Sequence, residues 1–275
     1  MTDQTRERFS TSVGPEAGPI IAGEVLGHGL FRMSPGDVPA LRRRPGPIPD
    51  GWGDVAPSLL RYSDEQTIAG TAAVFTAIES MGVSRDGFEG WGVVAASRYL
   101  GRANLALALR SFVAEGVWGT SPHLIPHFAL HSPAGTISLA LGLHGPNVGV
   151  GGGLHAAAEG FLAALTWVSA GGMPGVWLVL SGWSPELVPD RHGNGPAAGE
   201  CQALAIALVA GGIAGRRPRV RAVVGAEAHH AAAPIDLVRL AERLECRGER
   251  LPRTIATDPM GRLRIELVDK ANGLG

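Results

Sequence analysis

The chain has 275 residues, and 45% of them are apolar, which is enough to bury a sizeable core in one large domain or two small ones. Charged residues make up only 18%, below the usual share of about 25%, so we expect an oligomer or a complex. The 24 basic and 25 acidic residues leave a net charge of -1. This balance argues against partners that bind through broad positive charge, namely nucleic acid and anionic membranes.

The two cysteines, Cys201 and Cys246, do not make a disulfide framework. Residues 1–4 lack the basic and apolar regions of a secretion signal, so the sequence predicts a cytoplasmic protein. An uncharged stretch covers residues 160–184, but glycine and proline interrupt it in the middle. This pattern predicts a buried helix, a turn and a buried strand, and not a membrane span.

The start of the chain is polar and rich in glycine and proline, so residues 1–19 are predicted to be a flexible tail before a folded domain over residues 20–275. Residues 34–57 carry too many prolines and glycines for a regular element and predict a surface loop. Ser63 and Gln66 then form a capping-box pattern, which predicts a helix that ends at Gly82.

Strand-like and helix-like runs alternate through the rest of the chain. Helices are expected at residues 105–113, 137–143, 154–168 and 235–244. Strands are expected at residues 91–96, 147–150, 176–180, 203–209 and 220–224, with a possible edge strand at 263–268. The alternation predicts an α/β fold with a mostly parallel sheet and helices on both faces.

The most informative segment follows residue 132. It contains "SPAGTISLALGLHGPNV", in which Gly142, Leu143, Gly145 and Pro146 give the pattern Gly-Leu-x-Gly-Pro before a strand. "GLHAAAEGFLAALTWVSAG" and "VWLVLSGWSPE" follow as a buried helix and a strand. In order and spacing these segments resemble the β-ketoacyl synthase family, which implies a thiolase-like fold. The likeness spans about residues 20–225 and implies a relative truncated in its second half.

The resemblance also implies what the chain lacks. In the family, the elbow between strand and helix carries the cysteine that accepts the acyl chain, and the catalytic histidines lie in the second half. Here the elbow contains only Gly151, Gly152 and Gly153. The resemblance therefore implies a pseudoenzyme without a cofactor, most similar to a chain-length factor. Short relatives found beside aryl-polyene-type synthases would match the truncation best.

A chain-length factor pairs with an active ketosynthase in fatty-acid or polyketide-type biosynthesis, and it would meet an acyl carrier protein through that partner. We expect the interface around residues 122–133 and 137–143. The candidate pocket or partner contacts are His144, Gly145, Pro146, His155, Phe128 and Ile137.

Two alternatives remain open. The turn from Gly149 to Gly153, between a strand and a helix, could hold a dinucleotide or another ligand, although it matches only part of the usual glycine pattern. The chain could also be a structural homodimer. His123, His127 and His131 have helical spacing for a metal site, but the neighbouring prolines oppose a helix there, and no metal site is predicted.

Overall fold

The computed structural model describes residues 20–44, 55–84, 87–122, 124–188, 190, 192, 199–211, 218–224, 235–245, 253–258 and 263–268. The tail predicted for residues 1–19, together with Cys246 and His123, lies outside the described residues. The described strands are β1 (Ile20–Met33), β2 (Gly92–Arg98), β3 (Asn147–Gly152), β4 (Val176–Ser184), β5 (Glu200–Ala210), β6 (Arg219–Val224), β7 (Arg253–Thr257) and β8 (Leu263–Val268).

The described helices are α1 (Val38–Leu41), α2 (Pro57–Leu60), α3 (Glu65–Met81), α4 (Arg102–Glu115), α5 (Leu124–Phe128), α6 (Ser132–Leu141), α7 (Ala156–Ser169) and α8 (Leu237–Glu245). Short 3₁₀ turns at Pro35–Asp37 and Gly116–Gly119 precede α1 and follow α4. The loop expected over residues 34–57 therefore contains helical turns in its described part.

All eight strands form one sheet in the order β3-β2-β4-β5-β1-β6-β8-β7. This confirms the α/β fold class, but the sheet is mixed and not mostly parallel. Only the pairs β2–β3 and β2–β4 are parallel, and the other five neighbouring pairs are antiparallel. Parallel neighbours require a crossover connection, which α4 to α6 and α7 provide between β2, β3 and β4.

Several predicted boundaries need correction. Asp64 and not Ser63 is the N-cap of α3, because its carboxylate accepts a hydrogen bond from the Gln66 amide at 2.8 Å. The strand β8 lies between β6 and β7, so the possible edge-strand assignment is wrong. The outer strand β7 was not predicted, since its short sequence RTIAT has weak alternation.

The core forms two layers, one on each face of the sheet. Alternate residues of β4 point to opposite faces, with Leu178 and Leu180 toward α7 and Trp177 and Val179 toward α3 and α6. Both sets are fully buried, which explains why this strand is apolar at consecutive positions. Within the described part of the chain, no helix is long and apolar enough to cross a membrane.

We predict that Gly29→Ala lowers the free energy of unfolding by about 1–3 kcal/mol. A Cβ at this position of β1 would overlap the backbone nitrogen of Ala77 and lie 2.5 Å from the carbonyl oxygen of Ala73, so α3 would have to move away from the sheet. Urea denaturation measures the effect. Gly172→Ala is the matched control, because a Cβ there meets no atom within 4 Å. Equal stabilities of the two variants would contradict the prediction.

Candidate functional site

The elbow between β3 and α7 has a backbone that favours glycine. Gly151 and Gly152 have φ angles of +80° and +102°, in the region that side chains disfavour. A Cβ at Gly151 would also lie 2.6 Å from both Cα and Cβ of Ala156, the first residue of α7. The elbow is therefore a tight turn, and at Gly151, Gly152 and Gly153 it presents no side chain that could accept an acyl group.

The helix α7 follows this turn directly. His155 is its N-cap residue and is half-buried, but its side chain makes no capping hydrogen bond. Leu154, which the sequence pattern placed on the helix stripe, precedes the helix and is partly exposed. The stripe residues Phe161 and Leu165 are buried as predicted.

The other candidate contacts do not gather at the elbow. His144 and Pro146 are exposed and lie before β3, at the end of that strand remote from Gly152. Gly145 packs on the backbone of Trp91, where a Cβ would lie 2.5 Å from its carbonyl carbon.

Two further candidates lie elsewhere in the fold. Phe128 of α5 contacts Gly101, in the turn before α4. Ile137 of α6 is 1% exposed and belongs to the core beside α3, so its burial does not support the partner contact expected for it. Most of the segment 122–133, where the interface was expected, is described. The short helix α5 forms within it, even though Pro126 lies in this helix.

A cavity of about 340 Å³ opens beside the elbow, at the carboxyl ends of β2 and β4. This is the edge of a parallel sheet segment where ligands commonly bind. Among the described residues that line it there is no cysteine and no histidine. Its walls include Ala96, Arg98, Leu154, Ala156, Ser181 and Ile235.

Beneath this cavity lies a buried hydrogen-bond network. The hydroxyl of Ser181 donates to Oε1 of Gln66 at 3.0 Å and lies 2.8 Å from the hydroxyl of Ser97. The side-chain amide nitrogen of Gln66 in turn donates to the carbonyl oxygen of Arg98 at 3.0 Å. The partners of Ser181 are thus an amide and a second hydroxyl. Neither is a base that could activate this serine as a nucleophile.

An ion pair forms one wall of the cavity. Nε of Arg98 lies 2.8 Å from Oε2 of Glu186, and its Nη2 donates to the carbonyl oxygen of Trp183 at 2.5 Å. Burial raises the pKa of Glu186 above its ordinary value, and the positive charge of Arg98 opposes that shift. The guanidinium is therefore held in place by the protein itself.

A second acidic group lies at the N-terminus of α3. Asp64 is buried, and burial together with the charge of Glu65 raises its pKa to about 7. The hydrogen bond from the backbone amide of Gln66 opposes this shift. The side-chain amide of Asn104 lies 3.4 Å from Oδ2 of Asp64 and 3.3 Å from Oε2 of Glu65. Asn104 belongs to α4, so this contact joins two helices.

Sequence reasoning missed Gln66, Ser97, Arg98 and Ser181 as members of the site. The available signal was the position of Ser97-Arg98 and Ser181 at the ends of two predicted strands, where functional side chains of α/β proteins collect. No group of three or more histidine, cysteine or acidic residues suited to a metal ion occurs among the described residues, and His127 and His131 form none.

Comparison with known proteins gives structural matches only. No protein-family model and no curated protein matches the sequence. Among solved structures, 141 chains match. A chain of the complex between the ketosynthase ApeO and its chain length factor ApeC from Xenorhabdus doucetiae aligns with a TM-score of 0.53 and 16% identity, over 89% of this chain and 99% of the other. The two chains are therefore of similar length.

A second match is a chain of AntDE:AntF, a type II polyketide synthase complex of an acyl-carrier protein with its ketosynthase bound to the hexaketide. It has a TM-score of 0.51 and 16% identity over 70% of this chain, which spans 63% of that chain. These matches define the class, which is a protein with the thiolase-like fold of the ketosynthases. In fold, the chain is similar to a chain of the complex between a ketosynthase and its chain length factor.

We predict that Cys201 does not react with a thiol reagent in the folded protein at pH 8. Burial raises the pKa of this thiol well above its usual range, and the charges of Asp64, Glu65 and Glu186 add to the shift. The test is labelling with Ellman's reagent in a Cys246→Ser variant, with the urea-unfolded protein as the positive control. Fast stoichiometric labelling of the folded protein would contradict the prediction and would provide an acceptor thiol.

Proposed function

We propose that this chain is a non-condensing, chain-length-factor-type partner of an active β-ketoacyl synthase in fatty-acid or polyketide-type biosynthesis. The observation that carries the proposal is the elbow. By the sequence resemblance, the turn between β3 and α7 corresponds to the elbow that carries the nucleophile in ketosynthases, and the side chains of Gly151, Gly152 and Gly153 supply no acceptor atom. The cavity beside it adds no described cysteine or histidine to replace one.

A large apolar surface supports the need for a partner. The helix α4 lies wholly within the described residues and has no buried residue, although it is rich in leucine. Val113 is 85% exposed, and Trp118 in the following 3₁₀ turn is 94% exposed. A helix with apolar residues around its circumference is normally covered, and contiguous exposed apolar area of this kind marks an interaction site.

The free edge of the sheet adds to this surface. Within the described residues β3 pairs only with β2, so its other edge presents unpaired backbone groups. Phe128 of α5 contacts the turn before α4, and Leu130 lies against Gly149 and Gly152 of β3. We call the combination of α4, the Gly116–Gly119 turn, α5 and the outer edge of β3 the docking surface.

The proposed occupant of the docking surface is an active ketosynthase. One matching structure is a complex of a ketosynthase with its chain length factor, and a chain in that complex has about the length of this one. In another, an acyl-carrier protein is in complex with its ketosynthase. We infer that this chain meets an acyl carrier protein through the synthase and not by loading an acyl group itself.

A second copy of this chain is the alternative occupant of the docking surface, because an apolar surface can also form a homodimer. Binding of a ligand such as a dinucleotide at the Gly149–Gly153 turn is the other alternative. The first test is co-expression with an active β-ketoacyl synthase from the same organism, followed by size-exclusion chromatography with mass detection and a malonyl-dependent condensation assay. A one-to-one complex that condenses, with no condensation by this chain alone, supports the proposal. A homodimer that ignores the synthase contradicts it.

We predict that Val113→Asp weakens the complex with the synthase by at least about tenfold, since it buries an unpaired charge in the interface. The fold should be unaffected, because Val113 is almost fully exposed in the free chain. Titration by surface plasmon resonance measures the affinity, and circular dichroism checks the fold.

The matched control is Val188→Asp, which changes another exposed valine outside the docking surface. This variant should bind like the wild type. If both variants bind as tightly as the wild type, α4 does not take part in docking.

A further inference from the structure

Among the tryptophans that the structure describes, Trp118 is the exposed one. Trp91, Trp177 and Trp183 are at most 5% exposed, and Trp167 packs against the core. Trp118, in the turn that follows α4, is 94% exposed. An indole in this position offers a large apolar area to a partner, and tryptophan is one of the residues that most often dominate the binding energy of a protein interface.

The turn that carries Trp118 has a defined backbone. It starts at Gly116, whose φ angle of +68° suits glycine and whose N–H donates to the carbonyl oxygen of Phe112 near the end of α4. The N–H of Thr120 then donates to the carbonyl oxygen of Val117 at 3.3 Å and closes the turn around Trp118. Because the backbone is already ordered, little of its conformational freedom is lost on binding.

The turn also packs tightly against α4. A Cβ at Gly119 would lie 2.7 Å from the carbonyl oxygen of Ser111 and 2.9 Å from Cβ of Glu115, so this approach requires glycine. The close contact holds the turn against the last part of the helix. The indole of Trp118 is therefore displayed at a fixed point of the docking surface, as an anchor residue requires.

The neighbourhood of Trp118 is apolar and has balanced charge. Val113 on α4 and Val117 in the turn are both exposed. The charged residues closest to the turn in sequence are Arg110 and Glu115, which have opposite signs. This part of the docking surface therefore offers apolar area rather than net charge, and it favours an apolar recess on the partner over a charged surface.

We propose that Trp118 is the anchor of the docking surface and that the occupant receives its indole in an apolar pocket that contains a hydrogen-bond acceptor. This inference rests on the proposed function, which makes an active ketosynthase the occupant, and it states what the surface of that ketosynthase provides. The apolar walls cover the two rings. The acceptor is required because the indole N–H loses its contact with water when the side chain is buried.

The test is titration of variants of the full chain against an active β-ketoacyl synthase from the same organism by surface plasmon resonance, with circular dichroism to check each fold. Trp118→Ala should lower the affinity by at least about thirtyfold. Trp118→Phe keeps an aromatic ring but leaves the acceptor unpaired, so it should lower the affinity by about tenfold. Gly119→Ala keeps the indole but displaces the turn, and it should also cost at least about tenfold.

Three variants serve as controls. Val117→Ala truncates the neighbour of Trp118 and should cost less than about threefold, because residues around an anchor contribute little. Val188→Ala removes the same atoms outside the docking surface from a valine of similar exposure, 62% against 68% for Val117, and should bind like the wild type. Gly172→Ala is the control for Gly119→Ala, since a Cβ there meets no atom within 4 Å.

The inference is overturned if Trp118→Ala binds the synthase within about threefold of the wild type, or if Val117→Ala loses as much affinity as Trp118→Ala. Wild-type affinity of Gly119→Ala overturns the role of the turn. Size-exclusion chromatography of the chain alone separates these failures from failure of the proposed function. A homodimer that Trp118→Ala dissociates, without any synthase complex, supports the anchor and overturns the ketosynthase as its occupant. A wild-type chain that forms neither complex overturns both.

Discussion

The close approach of two helices to the sheet is the constraint on which the rest of the structure depends. The helix α3 lies on β1 at Gly29, and α7 lies on β2 at Gly160, where a Cβ would be 2.5 Å from Cβ of Ala96. Because glycine contributes no side chain to either contact, both helices approach the sheet closely. Their N-terminal ends consequently reach the same edge of the sheet, and they bring Gln66 and Ala156 to the carboxyl ends of β2 and β4.

Most polar groups collected at that edge pair with one another, although Oε1 of Glu186 is buried without a hydrogen-bond partner among the described residues. Ser97, Ser181 and Gln66 form a closed network, and Arg98 is held by Glu186 and a backbone carbonyl. A catalytic site usually keeps a base or nucleophile poised for the substrate. Here the described groups pair mainly with one another, and Gly151, Gly152 and Gly153 add no nucleophilic side chain. This internal pairing agrees with the proposed role of the chain as a partner that does not condense by itself.

Local features were predictable from the sequence where one residue type decides the conformation. Gly82 ends α3 in the left-handed conformation, as its position after a periodic segment indicated. Gly142 ends α6 in the same conformation, although the predicted helix over residues 137–143 ran through it. The tight elbow at Gly151 and Gly152 was predictable for the same reason. Strand direction was not, because apolar runs look alike in parallel and antiparallel neighbours when both faces are buried.

Long-range pairs were the other feature that the sequence could not provide. Ser181 and Gln66 lie 115 positions apart, and no local pattern marks their contact. The sequence pattern placed the N-cap of α3 at Ser63, but the N-cap is the next residue, Asp64. The carboxylate of Asp64 is held within the buried cluster that includes Asn104. Ile137 has the apolar character of an interface residue, but equally that of a core residue, and only the packing of α6 on α3 decides between them.

The two edges of the sheet differ in a way that limits how this chain can assemble. At the β7 edge, the pairing with β8 is interrupted between Thr254 and Ala256, where β7 carries one extra residue. Such a bulge twists an edge strand and opposes the addition of another strand. The β3 edge pairs with β2 in unbroken register and has no such irregularity. Among the described residues, the β3 edge is therefore better suited than the β7 edge to pair with a strand of another chain, so strand addition on both sides at once, which would build a filament, is disfavoured.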